Sequence, residues 1–204
     1  MFKAIPFEAQ ENRFGRRRCG AAALTMVYRS FGIATDRETI GLELDGYESN
    51  LNRARTFHLS RNAVEHGLAA IPCRLRNPWK FLITGISDDL RIILNHRIRS
   101  DSPFGHFTVL IDANKNNETI CVHDPQLGPN RTLSKAELLE LWTPHGTDDE
   151  ITGRVAVLIS NEPSNEALCK KCENRFSLKP FERYFKDSIQ TVFCPWCDAL
   201  QSLS

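Results

Sequence analysis

The sequence predicts an α+β fold, with helices first, antiparallel strands after them, and a small metal-binding ribbon at the C-terminal end. Three observations carry that expectation. The apolar run Cys19–Tyr28 and two shorter helical stretches precede any clear strand pattern. From Phe104 onward, β-rich segments alternate with turn residues, an order that argues against a βαβ sheet. Near the C-terminus, two Cys-x-x-Cys pairs stand with 21 residues between them.

Taken in chain order, the first helix opens at Cys19 and ends at Gly32, a residue suited to the left-handed cap. Thr35-Asp36-Arg37-Glu38 reads as a capping box opening a second helix, and Leu59–His66 as a third, stopped by Gly67. Leu68–Leu75 reads as a strand, with Pro72 favouring an edge or a bulge. Trp79–Leu82 has no assignable period, and Leu90–Ile98 fits either strand or helix. His106–Ile111 and Thr119–His123 form a hairpin around the turn-rich Ala113–Asn117. Ser134 caps a helix over Lys135–Trp142, and Arg154–Ile159 is a last apolar strand. The polar stretch 160–166 reads as a linker, which gives a domain over 1–160, a linker over 161–167 and a ribbon over 168–204.

The composition of 204 residues, 41% hydrophobic and 25% charged, supplies a full core. Net charge is +1, but residues 1–100 hold 16 basic against 10 acidic residues and the remainder 10 against 15. The Arg16-Arg17-Arg18 run reads first as a solvated face, and an acidic partner is the alternative. No basic-then-apolar start and no run of about 18 apolar residues is present, so neither a signal peptide nor a membrane span is expected. Seven cysteines, four of them in metal-like spacing, suit a reducing compartment and a cytoplasmic protein; export by a leaderless route stays compatible.

Cys19 is the chemically informative residue. Unpaired N–H groups at a helix start favour a thiolate, and a nearby imidazolium favours it further. A register centred on Lys115 puts His106 directly opposite Asp124, on one face of the hairpin. The carboxylate would then accept Nδ1–H and leave Nε2 for the thiol. His123 should face the other way and is read as structural; Cys73 and Cys121 are read as buried thiols, and His58, His66, His96 and His145 show no partner pattern.

Residues from about 6 to 159 resemble the bacteriocin-processing (double-glycine leader) peptidases, a papain-like cysteine peptidase family. The resemblance rests on Gln10, the helix start Cys19–Met26, Gly105–Leu110, His123-Asp124-Pro125 with Gly128, and Leu133-Ser134 leading to Leu141-Trp142. It implies a papain-like fold and a peptide or protein substrate. It further implies Cys19 as nucleophile, His106 as general base and acid, Asp124 as the group orienting His106, and Gln10 as oxyanion donor beside the backbone N–H of Cys19. The chain departs from the family in its longer Asn12–Arg18 bridge between Gln10 and Cys19. Leader-processing members are commonly fused to a transporter, and with no membrane span read here a double-glycine leader does not follow from resemblance alone.

Cys169, Cys172, Cys194 and Cys197 offer the tetrahedral Cys₄ shell that structural Zn²⁺ prefers, around a small aromatic core of Phe176, Phe181, Tyr184 and Phe185. Iron, two disulfides or a redox Cys-x-x-Cys are the alternatives, the last weakened by the lack of a βαβ context. Glu173, Glu182 and Asp187 dilute the ribbon's basic residues, which argues against nucleic acid and for a stabilising or protein-docking role. The functional expectation is therefore a cysteine peptidase. An amidase, acyltransferase or toxin-type effector with the same triad is one alternative, and an idle papain-like protein binding through its ribbon is another.

Overall fold

The computed structural model describes residues 4–10, 18–47, 54–162 and 166–201. Helices α1 (Cys19–Ser30), α2 (Arg37–Tyr47) and α3 (Thr56–Glu65) come first. Strand β1 (Ala69–Leu75), helix α4 (Pro78–Thr84) and strands β2 (Leu90–Arg97), β3 (Gly105–Asn114), β4 (Thr119–Asp124) and β5 (Gly128–Ser134) follow. Helix α5 (Lys135–Leu141) and β6 (Val155–Ser160) complete the first part. The remainder holds β7 (Glu166–Leu168), β8 (Arg175–Ser177), a 3-10 helix (Lys179–Tyr184), β9 (Ile189–Phe193) and β10 (Leu200–Gln201). Eight strands form one antiparallel sheet in the order β10-β9-β1-β6-β2-β3-β4-β5, and β7-β8 pair separately.

Both faces of the sheet are covered, which explains why Leu90–Ile98 carries no sequence period. Ile93, Val109, Val157 and Ile159 point to α1, α2 and α3. Ile92, Leu94, Ala156 and Leu158 point to the opposite layer, built from Phe81 and Leu82 of α4, Leu138 and Leu141 of α5, and Phe176 and Phe181. The ribbon aromatics therefore do not form a separate core but join the main one, and Tyr184 meets Phe81 edge to face at 5.2 Å.

Several local expectations need correction. The α2 cap is Asp36, whose carboxylate accepts from Thr39 N at 2.9 Å, rather than a box begun at Thr35. α3 begins three residues before Leu59. Pro72 lies in a strand flanked on both sides, yet β9 pairs only from Cys73 onward, so its missing N–H breaks no β1–β9 bond. β5 escaped notice because Gly128-Pro129-Asn130 has turn composition; Gly128 and Asn130 both take positive φ there. Gly32 and Gly67 do adopt left-handed φ at the ends of α1 and α3. Cys121 is half-buried, not buried like Cys73.

Because the ribbon shares the main core, Phe181→Ala should destabilise the whole chain by about 3–5 kcal/mol. Urea unfolding followed by fluorescence checks this: one shifted transition is expected, whereas an unshifted main transition with an early minor one would show two separate cores.

Candidate active site

Cys19 occupies the first turn of α1, whose N-terminus has no side-chain cap. Its backbone N–H groups therefore face the thiol region without a competing carboxylate. Gly20 is closely packed: a Cβ there would stand a tight 3.2 Å from Leu59 and at ordinary contact, 3.5 Å, from Ala54 and Phe107. The start of α1 is thus seated against α3 through Leu59 and lies in contact with Phe107 of β3, the strand that carries His106.

His106 and Asp124 do meet, but not in the expected register. The ladder pairs Val109 with His123 and Leu110 with Val122, then shifts at a bulge before Asp112 pairs with Cys121. Extrapolated past Val109, Asp124 falls beside Thr108, a diagonal neighbour of His106 on the same face. The two-residue displacement preserves parity, which is why the side chains still converge. His106 Nε2 and Asp124 Oδ1 are 2.7 Å apart, both buried. The ring is thus turned over from the orientation the sequence suggested: Nε2 serves the carboxylate and Nδ1 is left for the thiol, with which His106 is also hydrogen-bonded.

The Asp124 carboxylate is held from three sides. Oδ1 also accepts from the backbone N–H of Gln126 at 2.9 Å and of Leu127 at 3.0 Å, and Oδ2 accepts from Arg131 Nη1 at 2.9 Å. Burial opposes its charge, but the His106 interaction and the backbone N–H groups outweigh that and hold the carboxyl well below the usual range. Burial likewise opposes the His106 imidazolium, yet Asp124 and Cys19 together raise it to about 9.

Two neighbours were missed in the sequence. His96 lies directly across β2–β3 from His106, with ring centroids 6.0 Å apart. Its Nδ1 meets Arg97 O at 2.7 Å and its Nε2 meets Thr108 Oγ1 at 3.0 Å. Burial, then the His106 charge, lowers it to about 4, so a neutral ring backs a charged one. The Ser100–Pro103 turn composition would have revealed that pairing. Arg131 was hidden with β5.

Gln10 lies near the carboxylate end of this chain of bonds: its N–H donates to Pro125 O at 2.8 Å and its Nε2 donates to Gln126 Oε1 at 3.0 Å. Arg18 bonds Asp45 of α2 at 3.0 Å, while Arg16, Arg17 and most of the bridge lie outside the described residues. His123 is structural, bonded to Ile5 O and Asn130 N at 3.0 and 3.1 Å. Burial pushes the Cys73 thiol well up, and burial with Asp112 raises Cys121, which leaves neither primed to react.

A groove of about 390 Å³ opens at Cys19. Neighbouring strands contribute to it in turn: Phe107 from β3, Asn95 from β2, Val155 from β6, Pro72 from β1 and Phe193 from β9. Trp142 braces the middle, its indole N–H donating to Asn95 O at 2.8 Å.

The sulfurs of Cys169, Cys172, Cys194 and Cys197 all lie within 4.8 Å of one another, a cluster able to hold a metal ion. Two edges measure 3.8 and 3.7 Å, and a tetrahedron with metal–sulfur bonds of about 2.3 Å has edges of about 3.8 Å. Backbone N–H groups of Lys171 and Trp196 point at Cys169 and Cys194 sulfurs, at 3.4 and 3.3 Å.

A helix-borne thiol, a sheet-borne His–Asp pair and an antiparallel sheet between them define a papain-like cysteine peptidase fold. The Peptidase C39 family model matches residues 10–146, and the chain belongs to that family. Among solved structures it is similar to a double glycine motif protease from an AMS/PCAT transporter in complex with its leader peptide. That match has 20% identity and a TM-score of 0.52, over 78% of this chain and 93% of that one. The peptidase domain of Streptococcus ComA, a bifunctional ABC transporter of a quorum-sensing pathway, matches at 15% identity and TM-score 0.55, over 78% and 99%. A C39-like peptidase from Bacillus anthracis matches at 14% and 0.60, over 78% and 96%. No curated protein matches the chain. Among the described residues no helix is long and apolar enough to cross a membrane.

The two histidines should titrate far apart. Their folded-state positions predict His106 protonated up to about pH 9 and His96 neutral down to about pH 4, read by imidazole NMR shifts. His106 is raised above 6.5, so its contribution to stability is full below pH 6.5 and lost as pH rises through about 9. Asp124 is lowered below 3.8, so its contribution is present above that pH and lost as acid protonates it. Both histidines titrating near 6.5 would contradict the hydrogen-bonded arrangement.

Proposed function

We propose that this chain hydrolyses peptide bonds through a triad of Cys19, His106 and Asp124. The observation that carries the reading is the continuous bond chain from the Cys19 thiol through His106 to a carboxylate that is itself fixed by Arg131 and two backbone N–H groups. His106 takes the thiol proton, and the Cys19 thiolate attacks the peptide carbonyl carbon to form a tetrahedral oxyanion. Collapse breaks the C–N bond while His106 gives its proton to the leaving amine. Water then attacks the thioester with His106 as base, releasing the acid and restoring the thiol.

Gln10 is the oxyanion donor in this reading, with the Cys19 N–H as second donor at the start of α1. Its Nε2, bonded to Gln126 in the free protein, turns to the oxyanion when substrate enters. The substrate is a peptide, and the double-glycine relatives make a Gly-Gly bond the first to test. The peptidase domain spans 1–160, and after a linker over 161–167 the segment 168–204 is a zinc ribbon holding a structural Zn²⁺ through Cys169, Cys172, Cys194 and Cys197. The S···S edges support that ion, whose role is to tie the two knuckles together. The cytoplasmic setting expected from the cysteine usage belongs to this reading.

Iodoacetamide near neutral pH should label Cys19 much faster than Cys73 or Cys121, and His106→Ala should abolish the difference; equal, slow labelling of all three sinks the triad. Gln10→Ala should leave that labelling intact and lower kcat by about 100- to 1000-fold. For the metal, native mass spectrometry should find one zinc per chain, lost in Cys169→Ser. A folded ribbon that never carries metal overturns the zinc assignment.

A further inference from the structure

The groove that begins at Cys19 does not end within the peptidase domain. Its far wall is Phe193, the last residue of β9, and its rim includes Asp198, the residue after Cys197. Both belong to the cysteine ribbon. From β3 to β9 the sheet takes four strand-to-strand steps, so the groove reaches about 19 Å from the His106 strand. An extended peptide advances about 3.3 Å per residue, which places Phe193 about six residues from the bond at Cys19.

Phe193 and Pro72 give that end an apolar patch, beside Arg74 and Thr152 of the same lining. Phe193 is half-buried and stands one strand from Pro72, so two apolar side chains line the groove where one apolar side chain of a peptide could seat. The rim carries Arg55 and Asp198, whose opposite charges attract each other.

Phe193 is held by the ribbon rather than by the sheet alone. Cys194 follows it directly, and the Cys194 N–H donates to Ala199 O at 2.8 Å. Trp196, inside the second knuckle, lies under the Arg61 guanidinium of α3 at 5.0 Å and donates its indole N–H to Arg175 O at 3.1 Å. The knuckle is thus clamped between β1, through β9, and α3, whose N-terminal end flanks Cys19.

We propose that the four-cysteine ribbon is the far wall of the peptide groove. Phe193 receives an apolar side chain about six residues from the scissile bond, and metal loading of the ribbon sets that preference while leaving the Cys19 thiolate alone. This rests on the peptidase reading above.

The test uses the full chain and a synthetic library of peptides with a central Gly-Gly and seven random residues on each side, cleavage products being read by mass spectrometry. Iodoacetamide labelling of Cys19 is measured in parallel. The expected profile enriches apolar residues about six positions from the cut, on one side only. Phe193→Ala should weaken that enrichment about tenfold, Phe193→Leu should retain it, and chelator treatment should erase it, with Cys19 labelling unchanged throughout. Identical profiles for the natural protein and Phe193→Ala overturn the inference. So does a chelator effect that slows Cys19 labelling in step with cleavage, since the ribbon would then only support the fold. No cleavage in any arm, with Cys19 still labelled fast, overturns the peptidase reading and the inference with it.

Discussion

The hydrogen bond between His106 Nε2 and Asp124 Oδ1 is the constraint around which this molecule is arranged. It joins an imidazole and a carboxylate that are both buried, where an unpaired charge costs several kcal/mol. Each partner favours the charged form of the other, with Cys19 adding to the effect on His106 and the Gln126 and Leu127 N–H groups to that on Asp124. Such a pair survives only if its remaining lone pairs are filled, and here the Asp124–Leu127 turn and Arg131 fill them. The turn is set by Pro125 and the start of β5, so the polar edge of the sheet, which contributes little to the core, exists to hold one carboxylate.

That dependence explains what could be read from the sequence and what could not. Cys19 was legible because the apolar helix begins at a Cys-Gly pair, and Gly20 proves to be packed closely against Leu59. His106 and Asp124 were legible as a pair because face parity in a hairpin survives a two-residue error in register. Their direct opposition was not, since a bulge near Ile111 leaves no compositional mark. The orientation of the imidazole was equally hidden, because it follows from where Cys19 and Asp124 stand in space. His96 showed no partner pattern for a different reason: a buried neutral histidine resembles any other residue of a strand covered on both faces.

The ribbon marks the clearest limit of local reading. Four cysteines announced a metal cluster through spacing alone. Nothing local announced that β9 pairs with β1, more than a hundred positions earlier in the chain, or that Phe176 and Phe181 enter the core beside Phe81. Below about 40 residues a segment rarely stabilises itself without a metal or a partner surface. This one has a cysteine cluster fit for a metal and a sheet edge, and the sheet edge determines where the metal cluster sits relative to Cys19.

A continuous antiparallel sheet also carries the consequence across the molecule. The strand bearing His106 and the strand bearing Phe193 are separated by β2, β6 and β1, all buried on both faces and hydrogen-bonded throughout. Close-packed strands of this kind transmit position poorly as motion and well as rigid geometry. A change in the ribbon therefore has no easy route to the ionisation of His106, which is fixed by short bonds at the other end. It does have a direct route to the shape of the groove, because β9 meets β1 over three residue pairs and is flanked on its other edge by β10, which follows the second knuckle. The His106–Asp124 pair and the four-cysteine cluster are thus held by different interactions at separate places in one sheet.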